Sequence, residues 1–262
     1  MIDLKASFFL LWKNEAFYFS LLVIVIFGIL PNYNSLPHIL DNPIWNSLTT
    51  VDAKMNIGND SIAIFSPEVS PFVGLMKWDI PSQNKLFDFL PADRTVSTLI
   101  SEPFTLTEKW ELIFSLGLFQ MVCTKPQPYE GPIASLQPLG ASQIDAMLEL
   151  TALTKPGPFT QRTIEFGNYV GIIENNQLIS MAGERLHLSG YTEVSAVCTH
   201  PLHVGNGYAA YLVNHLTNQI IGSGKSAFLH VRQDNLRAIN LYKGLGFEIR
   251  SDIYFAVIKP KK

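Results

Sequence analysis

Hydrophobic and polar positions in the second half of the chain change period, and this change predicts a strand followed by a helix. The segment Tyr191–Thr199 is apolar and partly β-branched, which is typical of a buried strand. After it, apolar residues recur at helical spacing and predict one amphipathic helix; they are Ala209, Leu212, Val213 and Leu216. Between the two elements, Gly205 and Gly207 are residues that adopt the positive φ angles of a tight turn.

The same patterns predict a complete α/β arrangement from residue 133 to the C-terminus. Strands are predicted at residues 135–139, 169–173, 178–185, 227–231, 247–250 and 254–258. Helices are predicted at 142–153 and 236–245, with a short helix near 160–166. Asn175 and Asn176 are typical of a tight hairpin turn between two of these strands. The order of the elements predicts a mixed sheet with helices on both faces.

The N-terminal half is divided by prolines into shorter elements. Apolar runs at 61–65 and 95–100 predict strands, whereas helical spacing at 42–56, 84–90 and 106–116 predicts helices. Residues 124–132 contain three prolines and no apolar periodicity, which indicates a linker. The predicted organisation is therefore an apolar segment at 1–30, a small α/β unit at 31–128 and a larger domain at 132–262.

The apolar segment 16–30 is fifteen residues long and carries no charge. As a helix it would span about 22 Å, which is less than the ~30 Å hydrocarbon core of a bilayer. The basic residues Lys5 and Lys13 precede it, so a spanning helix would place the rest of the chain outside the cytoplasm. Three alternatives stay open: a membrane-associated or spanning helix, a buried element of the fold, and a stretch added by an upstream start codon.

Composition excludes some classes of function. Charged residues make up only 16% of the chain and the net charge is −3, so no nucleic-acid-binding surface is indicated. The two cysteines, Cys123 and Cys198, cannot form a disulfide framework and fit a reducing compartment. No histidine or cysteine spacing predicts a metal site.

The turn before the predicted helix is a candidate ligand site. A helix that begins directly after a glycine turn presents several unpaired N–H groups at the positive end of its dipole. Such an arrangement binds phosphate oxygens. The sequence therefore predicts that a phosphate-bearing cofactor is held at this turn.

A second motif follows one strand later. Asn235 is placed to cap the next helix, Ala238, Leu241 and Tyr242 share one face of it, and Gly246-Phe247 follows its end. With both motifs on consecutive strand–helix units, the chain resembles the GNAT acyltransferase superfamily over residues 133–262. The run AVCTHPLHVGNGYA is especially similar to its glycine N-acyltransferase-related branch. The resemblance implies a mostly antiparallel sheet and an acyl-coenzyme A, most simply acetyl-CoA, as the cosubstrate.

The resemblance also implies roles for individual residues. It assigns the cofactor's pyrophosphate to the backbone N–H groups of Val204, Gly205, Asn206, Gly207, Tyr208 and Ala209. It implies that the backbone of Val197 and Thr199 pairs with the pantetheine arm, that Asn235 lies beside that arm, and that Tyr242 protonates the leaving thiolate.

One position departs from the superfamily's pattern. Three residues before Gly207, where the superfamily usually has Arg or Gln, this chain has Val204. We therefore expect a weaker hold on phosphate, which His203 offsets in part.

Acyl transfer to an amine also requires a base. A lysine-like amine with a pKa near 10.4 is neutral in only about one molecule in 2,500 at pH 7. We predict Glu193 as that base, on the same strand face as Ser195, Val197 and Thr199, with a pKa raised by partial burial. An ordinary solvated carboxylate is the alternative for Glu193, and a packing tyrosine is the alternative for Tyr242. Cys198 and His200 fit a core thiol and a turn histidine better than a catalytic pair.

The sequence thus predicts a cytoplasmic N-acetyltransferase that moves an acetyl group from acetyl-CoA to a primary amine by direct attack in a ternary complex. The acceptor would be a small molecule or a peptide amine. Two alternatives stay open: a degenerate module that binds acyl-CoA without turnover, and a membrane-anchored structural protein.

Overall fold

An eight-stranded sheet forms the centre of the part of the chain that the computed structural model describes, residues 37–102 and 104–262. Ile39–Lys262 forms one compact unit, and everything below concerns that unit. The predictions for residues 1–30 lie outside the described residues. Within the described ranges, no helix is both long enough and apolar enough to cross a bilayer.

The strands are, in chain order, β1 Ala63–Ile64, β2 Val73–Gly74, β3 Val96–Ile100, β4 Trp110–Cys123, β5 Gln137–Pro138, β6 Val170–Glu174, β7 Gln177–Leu188, β8 Tyr191–Thr199, β9 Ser226–Arg232 and β10 Glu248–Pro260. The helices are α1 Pro43–Leu48, α2 Ile80–Phe89, α3 Ile144–Thr154, α4 Tyr208–Gly222 and α5 Leu236–Gly244. Short 3₁₀ segments occur at Ile39–Asp41, Ala53–Met55, Ala141–Gln143, Thr163–Phe166 and Pro201–His203.

The large sheet has the order β3-β10-β4-β9-β8-β7-β6-β5, and β1 and β2 form a separate two-stranded sheet. Every neighbouring pair in the large sheet is antiparallel except β8 and β9, which are parallel. The predicted mixed, mostly antiparallel sheet is confirmed. The single parallel pair matters for the site, because a parallel pair needs a crossover connection, and α4 supplies it.

Helices cover both faces of this sheet. On β9, Ala227, Leu229 and Val231 pack in the same core cluster as α4 and α5, whereas Phe228 packs in the cluster that contains α1. Successive strand residues point to opposite faces, so this alternation places α1 opposite α4 and α5. Helix α3 packs Met147 against the strands β7 and β8.

Several local predictions are confirmed. The strand Tyr191–Thr199 and the helices near 142–153 and 236–245 occur with small changes at their ends. The hairpin between β6 and β7 turns at Asn175 and Asn176, whose φ angles are 49° and 66°. Asparagine tolerates this left-handed geometry, which explains why the pair marks the turn.

Two predictions about the sheet are wrong. Residues 106–116 do not form a helix, since most of them belong to β4, the longest strand. Pairing with β10 along most of its length outweighs the local helical spacing. The two strands predicted at 247–250 and 254–258 are one strand, β10, which lies between β3 and β4.

The predicted linker at 124–132 connects β4 to the β5 region. Strand β4 comes before it and strand β9 after it, and the two strands pair directly. The sheet is therefore built from both sides of the predicted boundary at 128–132, while the division into two folding units stays a prediction.

Candidate active site

The turn before α4 carries a row of unpaired backbone N–H groups. Among the described residues, no protein acceptor takes the N–H groups of residues 205 to 210, and the first bond of the helix runs from Tyr211 N to Gly207 O at 3.0 Å. Val204 is partly engaged, because its N–H points to Pro201 O at 3.5 Å. Helix α4 is 15 residues long and has no side-chain cap, so its positive end is open to an anion.

Two glycines give the turn its shape. The φ angles of Gly205 and Gly207 are 104° and 79°, a region that other L-residues seldom adopt. A Cβ atom on Gly207 would also lie 3.0 Å from the hydroxyl oxygen of Tyr129. That hydroxyl lies 3.0 Å from Pro132 O and 3.3 Å from Gly207 O, either of which can accept its proton, so the 124–132 segment contacts the turn.

Strands β8 and β9 part beside this turn. They pair only over Tyr191–Glu193 and Ser226–Phe228, although β8 continues to Thr199 and β9 to Arg232. Their facing edges beyond Glu193 are therefore open to another chain of hydrogen-bonding groups. Val197 and Thr199, the residues predicted to contact the pantetheine arm, lie on this open stretch of β8.

A cavity of about 1100 Å³ joins the turn and the open edges. Most of the predicted site residues line it, namely Val197, Thr199, Val204, Gly205, Gly207, Tyr208, Ala209, Asn235 and Tyr242. Asn206 and Glu193 are not among its lining residues. A volume of this size lies at the upper end of the ~300–1,000 Å³ range of ligand pockets.

Asn235 and Tyr242 hold the predicted positions on α5. The side chain of Asn235 caps this helix by accepting from the N–H of Ala238 at 3.2 Å, which confirms the capping prediction. Tyr242 is only 9% exposed, lines the cavity and has no hydrogen-bond partner among the described residues. Burial raises the pKa of Tyr242 to about 12, so its hydroxyl is fully protonated at neutral pH.

The predicted environment of Glu193 is wrong. Its side chain is fully buried, and Arg185 donates to it twice, from Nε at 2.7 Å and from Nη2 at 2.6 Å. His230 Nδ1 lies 2.7 Å from the same carboxylate. Burial opposes ionisation, but the charge and hydrogen bonds of Arg185, together with those of His230, outweigh it and lower the pKa of Glu193 to about 2.

The predicted strand face is also wrong. Val194 and Val197 both pack against the cluster of α4 and α5, although they are three positions apart and a regular strand would point them to opposite faces. The reason is a bulge at Ala196, which has a φ of 52° and leaves two β8 residues opposite one residue of β7. The bulge reverses the alternation, so Glu193 and Val197 point to opposite faces.

A chain of buried polar contacts continues from Glu193 across the sheet. His230 Nε2 lies 3.0 Å from Gln120 Nε2, and Gln120 Nε2 also donates to Leu40 O at 2.9 Å. Arg250 donates to Gln120 Oε1 and, at 2.6 Å, to Asp41 Oδ1. The contacts join strands β7, β8, β9, β4 and β10 on the face that carries α1.

Sequence reasoning missed the cations of the site. Lys155, Arg232 and Arg237 line the cavity, and within the described ranges no Asp or Glu does. Arg232 is held by Asp234 at 2.6 Å, whereas the exposed Arg237 has no charged partner among the described residues. The sequence does indicate a cation here, because Arg237 lies in the first turn of the helix that Asn235 was predicted to cap.

Two residues near the site, His203 and Cys198, are engaged or buried in ways that limit their part in binding or catalysis. His203 Nδ1 lies 3.8 Å from Glu174, so the predicted compensation for Val204 is shared with a carboxylate. Burial raises the pKa of the Cys198 thiol to about 11, which agrees with the prediction of a core thiol.

Comparison with known proteins shows which families and structures this chain resembles. The profile of the family described as "FR47-like protein" matches residues 169–256, from just before β6 into β10. A crystal structure from Novosphingobium aromaticivorans, assigned to the acetyltransferases of the GNAT family, superposes with a TM-score of 0.80 at 27% identity. The match covers 86% of this chain and 100% of the other. The chain has the fold of the GNAT superfamily.

Two further relatives define how far the likeness reaches. A mycothiol acetyltransferase from Mycolicibacterium gilvum is 30% identical over 94 residues, which cover 33% of this chain. The match spans only 31% of that relative's length. A GCN5-related N-acetyltransferase from Kribbella flavida, 15% identical, shares the fold with a TM-score of 0.57 over 84% of this chain and 94% of its own. Membership of the glycine N-acyltransferase-related branch stays a prediction.

Proposed function

We propose that this protein is an N-acetyltransferase that moves the acetyl group of acetyl-CoA to a primary amine in a ternary complex. The observation that carries the proposal is the row of free N–H groups at 205–210, which opens into the same cavity as Tyr242. Backbone donors at a helix N-terminus suit a diphosphate, and the open strand edges suit an amide-bearing arm. The cytoplasmic location follows from the proposed donor and stays a prediction.

The residues that would hold the donor fit its charge. The N–H groups of 205–210 would bind the diphosphate, and Arg237 and Lys155 add positive charge to a cavity that no Asp or Glu of the described residues lines. Arg237 offers the charged side chain that is absent at Val204. The unpaired β8 edge at Val197 and Thr199 would bind the amides of the pantetheine arm.

The transfer step requires one acid. The donor supplies its acyl group as a thioester, whose carbon forms a bond to the amine nitrogen while its bond to sulfur breaks. Tyr242 lines the cavity, and its protonated hydroxyl has no protein partner among the described residues. In the proposed step this hydroxyl gives its proton to the leaving sulfur. Water returns a proton to Tyr242 and takes the one that the new amide releases.

The amine must arrive in its neutral form. In the described part of the chain, no cavity-lining carboxylate can take its proton, and Glu193 is held by Arg185 and His230. We therefore propose that the acceptor loses its proton to bulk water before it attacks. Glu193 then serves as a positioning residue, which fixes Arg185 and His230 in the wall of the cavity.

Binding and turnover can be tested separately. Acetyl-CoA at millimolar concentration should raise the melting temperature, and an amine should then release free thiol. Tyr242→Phe should keep the melting shift and lower the turnover number at least tenfold. Tyr254→Phe is the matched control, since Tyr254 is exposed and does not line the cavity. A melting shift without thiol release across amines would contradict the proposed transfer and support a binding module.

A further inference from the structure

The cavity has a second lobe on the face of the sheet opposite α4 and α5. Two cross-strand rows form its floor: Leu99, Phe255 and Leu116, and then Ser97, Val257 and Phe114. Five of these six side chains are apolar, and the sixth offers a single hydroxyl. The helix side of the cavity is instead polar and positively charged, since it carries the cations and the free N–H groups.

Three aromatic rings lead from the surface of this lobe to its interior. Phe114 is 47% exposed and its ring lies 5.8 Å from that of Phe255, which in turn lies 6.4 Å from the ring of Phe72. Phe72 is only 1% exposed. Because Phe114 lines the cavity and is also exposed, the lobe reaches solvent at Phe114.

The charged groups at the inner end of the lobe are already neutralised. The guanidinium of Arg185 lies over the Phe72 ring at 4.8 Å, and both of its donating nitrogens face Glu193. Both ring nitrogens of His230 are also engaged, by Glu193 and Gln120. A substrate carboxylate or a second ammonium would thus be desolvated here without a partner, which is costly.

We propose that this lobe binds the body of the acceptor, and that the acceptor is a primary amine carried on an uncharged apolar group, aromatic or aliphatic. The inference rests on the proposed acetyltransferase function and adds its substrate class. The acceptor would enter at the solvent-exposed end of the lobe, at Phe114, while the donor occupies the helix side. An acyl chain, which enters with the donor, needs no such entrance.

The test is an acceptor series with acetyl-CoA at pH 8.5. From ethylamine to butylamine to hexylamine, kcat/KM should rise about fourfold for each added methylene. Butylamine should exceed 1,4-diaminobutane, and phenethylamine should exceed phenylalanine, each by at least tenfold. Active enzyme that prefers the charged member of either pair would overturn the inference.

A variant pair connects the preference to the lobe. Phe114→Glu should raise kcat/KM for 1,4-diaminobutane relative to butylamine about tenfold. Ile113→Glu is the matched control, because Ile113 is adjacent, also 47% exposed and outside the cavity lining, and the ratio should not change. The melting shift with acetyl-CoA verifies that both variants fold.

The remaining outcomes separate two kinds of failure. If Phe114→Glu leaves amine selectivity unchanged and instead alters the preference between acetyl-CoA and hexanoyl-CoA, the lobe holds the acyl chain and the inference is overturned. If no amine is acylated by either donor, the proposed function fails, and the substrate class fails with it.

Discussion

Glu193 and His230 share a buried hydrogen bond of 2.7 Å between Oε1 and Nδ1. The amide nitrogen of Gln120 faces the other ring nitrogen of His230, and the amide oxygen of Gln120 accepts from Arg250. Both ring nitrogens of His230 are therefore engaged, and the ring is held in one orientation. The Glu193 carboxylate does not line the reaction cavity and is held by Arg185 and His230, so it is not free to exchange protons with a substrate.

Removing the charge of Glu193 should destabilise the fold. Glu193→Gln leaves Arg185 buried without its counter-ion, and breaking such a pair costs about 3–5 kcal/mol. Urea unfolding measures this loss. Glu165→Gln removes the carboxylate from an exposed pair with Arg162 and should change the free energy of unfolding far less. Equal losses in the two variants would contradict the account of Glu193 as a positioning residue.

The rate should follow the acceptor's own ionisation. Because no Asp or Glu in the described part of the chain lines the cavity to take the proton, kcat/KM for an alkylamine should rise about tenfold per pH unit below the amine pKa near 10. The folded fraction of Glu193→Gln should keep this slope. A plateau between pH 6.5 and 8 that the variant abolishes would restore Glu193 to the predicted role of base.

Arg237 should contribute to donor affinity. Arg237→Gln removes a cation that lines the cavity, and a charged hydrogen bond is worth about 1.5–3 kcal/mol, so the Kd for acetyl-CoA should rise at least tenfold. Lys243→Gln, on the same helix but outside the cavity lining, should have little effect. Calorimetric titration of both variants measures the difference, and matching Kd values would remove Arg237 from the site.

The turn should not tolerate a side chain at Gly207. Gly207→Ala places a Cβ at a positive φ and 3.0 Å from the Tyr129 hydroxyl, which should cost about 1–2 kcal/mol and weaken acetyl-CoA binding. Gly222→Ala lies at the other end of α4, where a Cβ meets nothing within 4 Å, and should leave binding unchanged. Retained affinity in Gly207→Ala would contradict the shape proposed for the turn.

A second buried cluster should make stability depend on pH. His187 contacts Asp52 at 3.1 Å and Glu184 at 3.2 Å. Burial disfavours its charged form, but hydrogen bonds to both carboxylates prevail and raise the pKa of His187 from 6.5 to about 9. The pKa of His187 is higher in the folded state than in the unfolded state, so its protonated form stabilises the fold in full below pH 6.5. Up to about 3 kcal/mol of the free energy of unfolding should be lost as the pH rises from 6.5 to 9.

Urea unfolding at pH 6 and pH 9.5 checks the contribution of His187. His187→Gln should lose the part of the pH dependence that belongs to this imidazole, while titration of other groups at pH 9.5 affects both proteins equally. The same pH dependence in both proteins would show that the cluster is not protonated as proposed.

The local parts of the site could be predicted from the sequence. The strand β8, the glycine turn, the helix α4 and the Asn235 cap are each encoded within a few residues, by periodicity, glycine placement and capping chemistry. The family resemblance followed from the same short motifs. These features depend little on the rest of the chain.

The missing parts depend on distant residues. His230 lies 37 positions from Glu193, and Arg185 reaches it from the neighbouring strand, so neither partner shows in a local pattern. The bulge at Ala196 is set by pairing with β7, and it reversed the predicted strand face. The apolar spacing of 106–116 is compatible with a helix when it is considered alone. The strand that pairs with this segment, β10, comes more than a hundred residues later, so a local pattern does not reveal the pairing.

The central claim is that the free N–H groups at 205–210 bind the diphosphate of acyl-CoA. Titration of ¹⁵N-glycine-labelled protein with acetyl-CoA, followed by NMR, tests it most directly. The account predicts large shifts of the Gly205 and Gly207 amide signals, with little change at Gly222 and Gly224, which lie at the far end of α4. Saturating acetyl-CoA that leaves the Gly205 and Gly207 signals in place while other signals move would contradict it.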